Sequence, residues 1–275
     1  MHVAQWTLVT IEIAGAPVLL TSRQAPEVAA RRGTVLVYHG FGGDKLSLGP
    51  LASALADAGF LAVSVDIVGH GVRRLPDWDE VFSDERWDEE EEATEAEFLM
   101  LLKATAAEVP AIVDELLARR WAHEGRLGIT GRSMGGEISY AAVLNEPRIQ
   151  AAAPMVGSPE WTLAWPDSPH LHAERFYPIP ILSHSAELDE YVPARYIRDF
   201  RDRLIPLYAE NPERLCYIEY PGAGHFLTPE LWQESYQRVV AWFERWLLPE
   251  ARQVGAGPIG QAGRDERRGR TLRQL

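Results

Sequence analysis

Cysteine is all but missing from this chain. Cys216 is the only one in 275 residues, so no internal disulfide can staple the fold. Lysine is nearly as scarce: Lys45 and Lys103 are the only two, and arginine supplies the rest of the 27 basic residues. Against 40 acidic residues these leave a formal charge of −13, with the arginines dispersed, so nucleic acid is not expected as a partner. The C-x-x-C and H-E-x-x-H patterns of metal sites do not occur. No run of about 18 apolar residues appears, which excludes a membrane-spanning helix and membrane insertion. The opening "MHVAQWTLVTIEIAGAPVLL" has no basic start and no cleavage signature. It reads as strands rather than a signal peptide, and the expected location is the cytoplasm.

What is present is ample apolar material, 46% of residues, arranged with a clear rhythm. "WTLVTIEIAGAPVLLTS" alternates on both sides of Gly15, the mark of an antiparallel hairpin. Short apolar runs then alternate with amphipathic helices: "GTVLVYHG", "LAVSVDIVGHG", "RLGIT", "IQAAAPMVG", "IPILSHSA" and "RLCYIEY" read as strands. The alternation predicts a parallel sheet covered by helices on both faces. A long helix is expected from about Asp88 to Arg120, bent or broken at Pro110. The acidic run "DEEEEATEAE" opens it, where carboxylates meet the positive end of the helix dipole. A single domain is expected over 1–249. Residues 250–275 lose apolar periodicity and read as a disordered tail.

The informative stretch is "RLGITGRSMGGEISYAA", where Gly131-x-Ser133-x-Gly135 stands between a strand and a helix. This is the nucleophile-elbow spacing. Small residues two before and two after let the chain turn sharply, lifting the serine hydroxyl above the strand ends at a helix N-terminus. A serine so placed needs a base and an orienting acid, in the chain order Ser, Asp/Glu, His. His225, in the glycine-rich "PGAGHF" after the last strand, meets that order; His39 and His70 precede the serine and read as loop structure. His170 and His172 lack further metal ligands, His184 reads as a buried strand-end residue, and His123 as a surface loop residue. For the acid, Glu187 and Asp189 compete within "AELDEYVP", and the shorter Asp189 at the loop apex is the better orienter. An oxyanion would be held by the backbone amides of Met134 and, from the loop "VYHGFGGDK", Phe41, with Gly42 second.

With these residues in view, "HGFGG", "DIVGHG", "GRSMGG", "AELDEYVP" and "GAGHF" together resemble the α/β-hydrolase superfamily from about Thr34 to Leu247. Within it the chain is most similar to small bacterial carboxylesterases of the prolyl-oligopeptidase-like and dienelactone-hydrolase-like group. The resemblance implies an eight-stranded, mostly parallel sheet with no metal and no organic cofactor. By motif position it implies Ser133 as nucleophile, Asp189 as acid and His225 as base. The activity implied is carboxylic ester hydrolysis (EC 3.1.1) of a small-molecule substrate through an acyl-enzyme. The stretch from Gly157 to Pro180 is too short for a large helical cap, so a small cap or none is expected. Trp161, Trp165 and Trp87, with Phe41, Trp78 and Phe82, would line a compact pocket for short acyl chains. A peptidase, thioesterase or acyltransferase on the same residues, and a non-catalytic binding protein of the same fold, are the alternatives. The sequence leaves oligomeric state open.

Overall fold

A computed structural model describes residues 7–248. Eight strands form one sheet: β1 (Thr7–Ile13), β2 (Ala16–Ser22), β3 (Thr34–Tyr38), β4 (Leu61–Val65), β5 (Leu127–Arg132), β6 (Ala151–Met155), β7 (Ile181–Ala186) and β8 (Leu215–Tyr220). Their order is β1-β2-β4-β3-β5-β6-β7-β8. The β1–β2 and β2–β4 pairs are antiparallel and every later pair is parallel, matching the hairpin followed by βα alternation.

The α-helices among the described residues are α1 (Pro26–Ala29), α2 (Gly49–Asp57), α3 (Trp78–Val81), α4 (Asp84–Glu89), α5 (Glu91–Ala118), α6 (Met134–Asn145), α7 (Ala194–Leu204) and α8 (Pro229–Leu247). Alternate residues of each strand point to opposite faces. Val35, Val37, Ala62, Ala151 and Ala153 pack with Leu51 and Leu55 of α2 and with Val239, Trp242 and Phe243 of α8. Leu36, Tyr38, Val63 and Ile129 pack on the other face with α5, α6 and α7. The central strands are therefore buried on both faces, which is why they read as continuous apolar runs.

The long helix differs from expectation. It runs unbroken through Pro110, and the chain instead breaks at Glu90, between α4 and α5, with φ −128° and ψ 40°. Proline removes one amide and crowds one carbonyl. Here the buried stripe of Leu99, Leu102, Ala106, Val109, Ile112, Val113 and Leu116 holds the helix on the sheet across that defect. The terminal segment 250–275, read as a tail, lies outside the described residues.

The connections place the chemistry. From β3 the chain passes to β4 on one side, and β5 then takes the place on the other side of β3. The loops leaving β3 and β5 therefore diverge at one strand-order switch, the crevice where open α/β sheets hold their ligands.

Candidate active site

Ser133 sits between β5 and α6 with φ 56° and ψ −122°, a backbone conformation that non-glycine residues rarely hold. The neighbouring glycines explain how it persists. A Cβ on Gly131 would lie 2.6 Å from the Tyr38 carbonyl oxygen, and one on Gly135 would lie 2.5 Å from that of His39. One on Gly136 would lie 2.8 Å from the Met155 oxygen. No side chain fits at these three positions, so the sequence spacing follows directly from the packing of β3, β5, β6 and α6.

The structure brings Ser133, His225 and Asp189 together. Ser133 Oγ lies 3.0 Å from His225 Nε2, and His225 Nδ1 lies 2.8 Å from Asp189 Oδ2. A carboxylate can only accept, so Nδ1 carries the proton and Nε2 presents its lone pair to the serine hydroxyl. The other Asp189 oxygen accepts the Tyr191 amide at 3.0 Å and the Val192 amide at 2.8 Å. These bonds fix the carboxylate, itself buried, at the head of the loop leading into α7. Glu187 turns elsewhere: its Oε2 accepts the Gly222 amide at 2.8 Å and braces the loop that carries His225.

The amides of Phe41 and Met134 have no protein acceptor among the described residues, in keeping with donors available to a ligand. The orientation of the first is set by its neighbour. The Gly40 carbonyl accepts from Gly43 N at 3.1 Å and from His39 Nδ1 at 2.7 Å. Because a trans peptide points its C=O and N–H in opposite directions, pinning that carbonyl aims the Phe41 N–H the other way. His39 Nε2 in turn accepts the Ile67 amide at 3.1 Å, and burial lowers the His39 pKa, so the ring stays neutral. Sequence reading assigned His39 to loop structure, and this is the form that role takes. Below it, Lys45 Nζ and Asp66 form a buried ion pair at 2.8 Å that ties the same loop to the end of β4.

The aromatic residues divide. Phe41 is packed by Trp78 at 4.8 Å between ring centres, Phe82 at 4.9 Å, Phe98 at 5.5 Å and Trp87 at 6.4 Å. The short helices α3 and α4 and the start of α5 thus pack on the loop that follows β3. Trp161 and Trp165 go to a different place. Trp161 lines a cavity of about 180 Å³ with Lys103, Ala141, Leu144, His172 and Arg175, against the last two turns of α6. Ala141 is eight residues along that helix from Ser133, roughly 12 Å at 1.5 Å per residue. Trp165 stands edge-on to Trp161 and beneath the Lys103 ammonium.

Sequence reasoning passed over three groups here. Glu137, in the first turn of α6, is buried with a single long contact from the Ser158 amide at 3.4 Å. Burial, with the Glu95 carboxyl nearby, raises its pKa well above the ordinary carboxylate value and favours the neutral acid. Tyr191 and Phe226 flank the His225 ring and were not weighed. The only available signal was their position, two residues after the acid and one after the base. Of the remaining histidines, His170 bonds Ser168 and His172 bonds the Pro166 carbonyl. Among the described residues no group of three or more His, Cys, Asp or Glu is arranged to hold a metal ion. No helix among them is long and apolar enough to cross a membrane.

Known proteins bear on this arrangement in two ways. In sequence, the chain is 26% identical over 242 residues to "Putative esterase YitV" of Bacillus subtilis (strain 168), covering 78% of this chain and 89% of that protein. It is 25% identical over 224 residues to "Probable 2-oxo-3-(5-oxofuran-2-ylidene)propanoate lactonase" of a Bradyrhizobium species, covering 78% and 81%. In structure, TT1662 from Thermus thermophilus superposes with a TM-score of 0.72 at 21% identity, over 90% of this chain and 100% of that one. "Putative Dienelactone Hydrolase" from Klebsiella pneumoniae gives 0.66 at 20%, over 88% and 99%. At such identities the structures establish the fold alone, an α/β-hydrolase sheet with its helices. The family is established by sequence, because the family model "Dienelactone hydrolase family" matches residues 19–246. An eight-stranded sheet with a glycine-flanked serine at its switch point thus belongs to a hydrolase of known lineage: this chain is a member of the dienelactone hydrolase family of the α/β-hydrolase superfamily.

Proposed function

We propose that this protein hydrolyses carboxylic esters with Ser133 as nucleophile, His225 as general base and Asp189 as the acid that orients it. One observation carries the reading: the unbroken hydrogen-bond chain from Ser133 Oγ through His225 to Asp189, at 3.0 and 2.8 Å, on a strained strand-to-helix turn. In the first stage His225 Nε2 takes the hydroxyl proton as Oγ attacks the ester carbonyl. The amides of Met134 and Phe41 receive the developing oxyanion at the N-terminus of α6. The tetrahedral intermediate collapses, the alcohol leaves with the proton from His225, and water, activated by the same base, releases the acid. A neutral Glu137 suits this chemistry, since a carboxylate one turn from the serine would oppose the oxyanion. The names of the two sequence relatives, an esterase and a lactonase, point to the same bond, a lactone being an internal ester.

The rings packed around Phe41 leave little room on the acyl side. Activity on p-nitrophenyl esters should therefore peak between about acetyl and hexanoyl chains, and an optimum at long chains would overturn the compact pocket. A fluorophosphonate should label the protein once, on Ser133, and Ser133→Ala should lose both the label and esterase turnover by at least about three orders of magnitude. A label on another residue, or an active Ser133→Ala, overturns the assignment.

A further inference from the structure

Tyr191 and Phe226 stand on the two loops that deliver Asp189 and His225, and the core does not consume them. Phe226 is 78% exposed and Tyr191 66%, with Leu188 beside them at 65%. The Leu188 amide donates to the Ala223 carbonyl at 2.8 Å, which ties the acid loop to the base loop. The Tyr191 ring lies 5.3 Å from the His225 ring, Phe226 lies 5.2 Å from it at 88°, and the two aromatic rings lie 5.9 Å apart at 71°. They form an open corner of ring faces and edges around the imidazole. Large apolar side chains left in water beside one functional group mark a contact surface for something that arrives there.

The chemistry says what arrives. In the ester-hydrolase reading, on which this inference rests, His225 Nε2 returns its proton to the departing alcohol oxygen. That oxygen must come within hydrogen-bond reach of Nε2, so the rest of the alcohol extends past the imidazole. Phe41 and the rings packed on it, from α3, α4 and α5, belong to other segments than Tyr191 and Phe226, and the ester-hydrolase reading gives them to the acyl chain. We propose that Tyr191 and Phe226 form an alcohol-side subsite that selects esters whose leaving group carries a flat, aromatic ring. Offset and edge-to-face ring contacts supply the recognition. Because the corner opens to solvent, the subsite discriminates by ring character rather than by length.

Benzyl acetate and methyl acetate separate this from the general reading. Their alcohols are of similar acidity and both give the same acetyl-enzyme, so the ratio of their kcat/KM values reports alcohol-side recognition in the acylation stage. The ratio should favour benzyl acetate by about tenfold or more in the unaltered protein. Phe226→Ala and Tyr191→Ala should each cut it by roughly three- to tenfold, while Phe226→Trp restores it. A ratio near one in the unaltered protein, or one that neither alanine variant moves, overturns the subsite even while Ser133 is labelled and both esters are cleaved. So does a Phe226→Ala variant that changes self-association or binding to phosphatidylcholine vesicles and leaves the ratio alone. Failure to cleave either ester, with no label on Ser133, overturns the hydrolase reading and this inference together.

Discussion

Three serine–histidine hydrogen bonds occur among the described residues, Ser168 to His170 being one, and the shortest of them is sealed from any substrate. Ser235 Oγ, on α8, lies 2.7 Å from His184 Nδ1, whereas Ser133 Oγ lies 3.0 Å from His225 Nε2. His184 is bonded also by Tyr220 at 3.2 Å, has no carboxylate behind it, and leaves its Nε2 buried without a partner. Ser235 sits in the middle of a regular helix, fully buried, with Met155 Sδ 3.3 Å away. Around Ser133 everything differs: a positive φ, two amides free to donate, an acid on the far ring nitrogen, and an open side lined by exposed rings. The proximity of a serine to an imidazole therefore says little by itself. The orienting acid, the donors and the access make the difference.

The sharpest way to break that contrast is to remove the acid. Asp189→Asn should lower kcat by about three to four orders of magnitude, because an amide no longer holds His225 with its proton on Nδ1. Glu187→Gln should cost far less, since that carboxylate braces Gly222 rather than the histidine. Ester turnover by the two variants under saturating substrate measures both, and a reversed order would transfer the acid's role to Glu187.

Acid should expose the sealed histidine, His184, through the stability of the fold. Burial pushes the His184 pKa down to about 3 from the ordinary 6.5, and that of His70 down to about 4. Above pH 6.5 both rings are neutral in folded and unfolded chains, and the folded state loses nothing. As pH falls from 6.5 toward these lowered values, the unfolded chain binds protons that the folded chain refuses, so stability is lost across that window. Each ring contributes about 1.4 kcal/mol per pH unit there. Urea unfolding followed from about pH 7 to about pH 5 should show the loss, and His184→Gln should flatten it by about 2 kcal/mol. An unchanged slope in that variant would mean that His184 is not held neutral by burial. The smallest effect expected is that of Ser235→Ala: about 1 kcal/mol of stability for a lost buried hydrogen bond, with ester turnover unaffected.

The elbow was legible in the sequence because close packing leaves no alternative: glycine at 131, 135 and 136 is a direct imprint of backbone against backbone. The hairpin and the buried central strands were legible for a different reason, since each shows in the local periodicity, whereas the strand order is set by the crossovers and was not. Between Glu187 and Asp189 the sequence offered only side-chain length and place in the loop, which favoured Asp189, as both leave the same strand end. What divides them is the Gly222 amide, contributed by a distant loop. The break at Glu90 was missed because proline is the stronger local signal, yet the packed stripe of α5 overrides it. The destinations of the tryptophans were also hidden. Trp87 reaches Phe41, while Trp161 and Trp165 turn to the flank of α5 and α6, a choice made by tertiary packing alone.

The Lys45–Asp66 pair has a practical side. One of the chain's two lysines is locked beneath the loop after β3, its ammonium held at 2.8 Å by a carboxylate and its side chain only 7% exposed. The other, Lys103, is 38% exposed on the side-chain scale and paired with Asp167 at 2.6 Å. Amine-directed reagents thus meet a single open side-chain amine, on the flank of α5 rather than at the mouth around Ser133. Tethering through Lys103 would hold every molecule on a support by the same point, with the crevice at the strand ends left free.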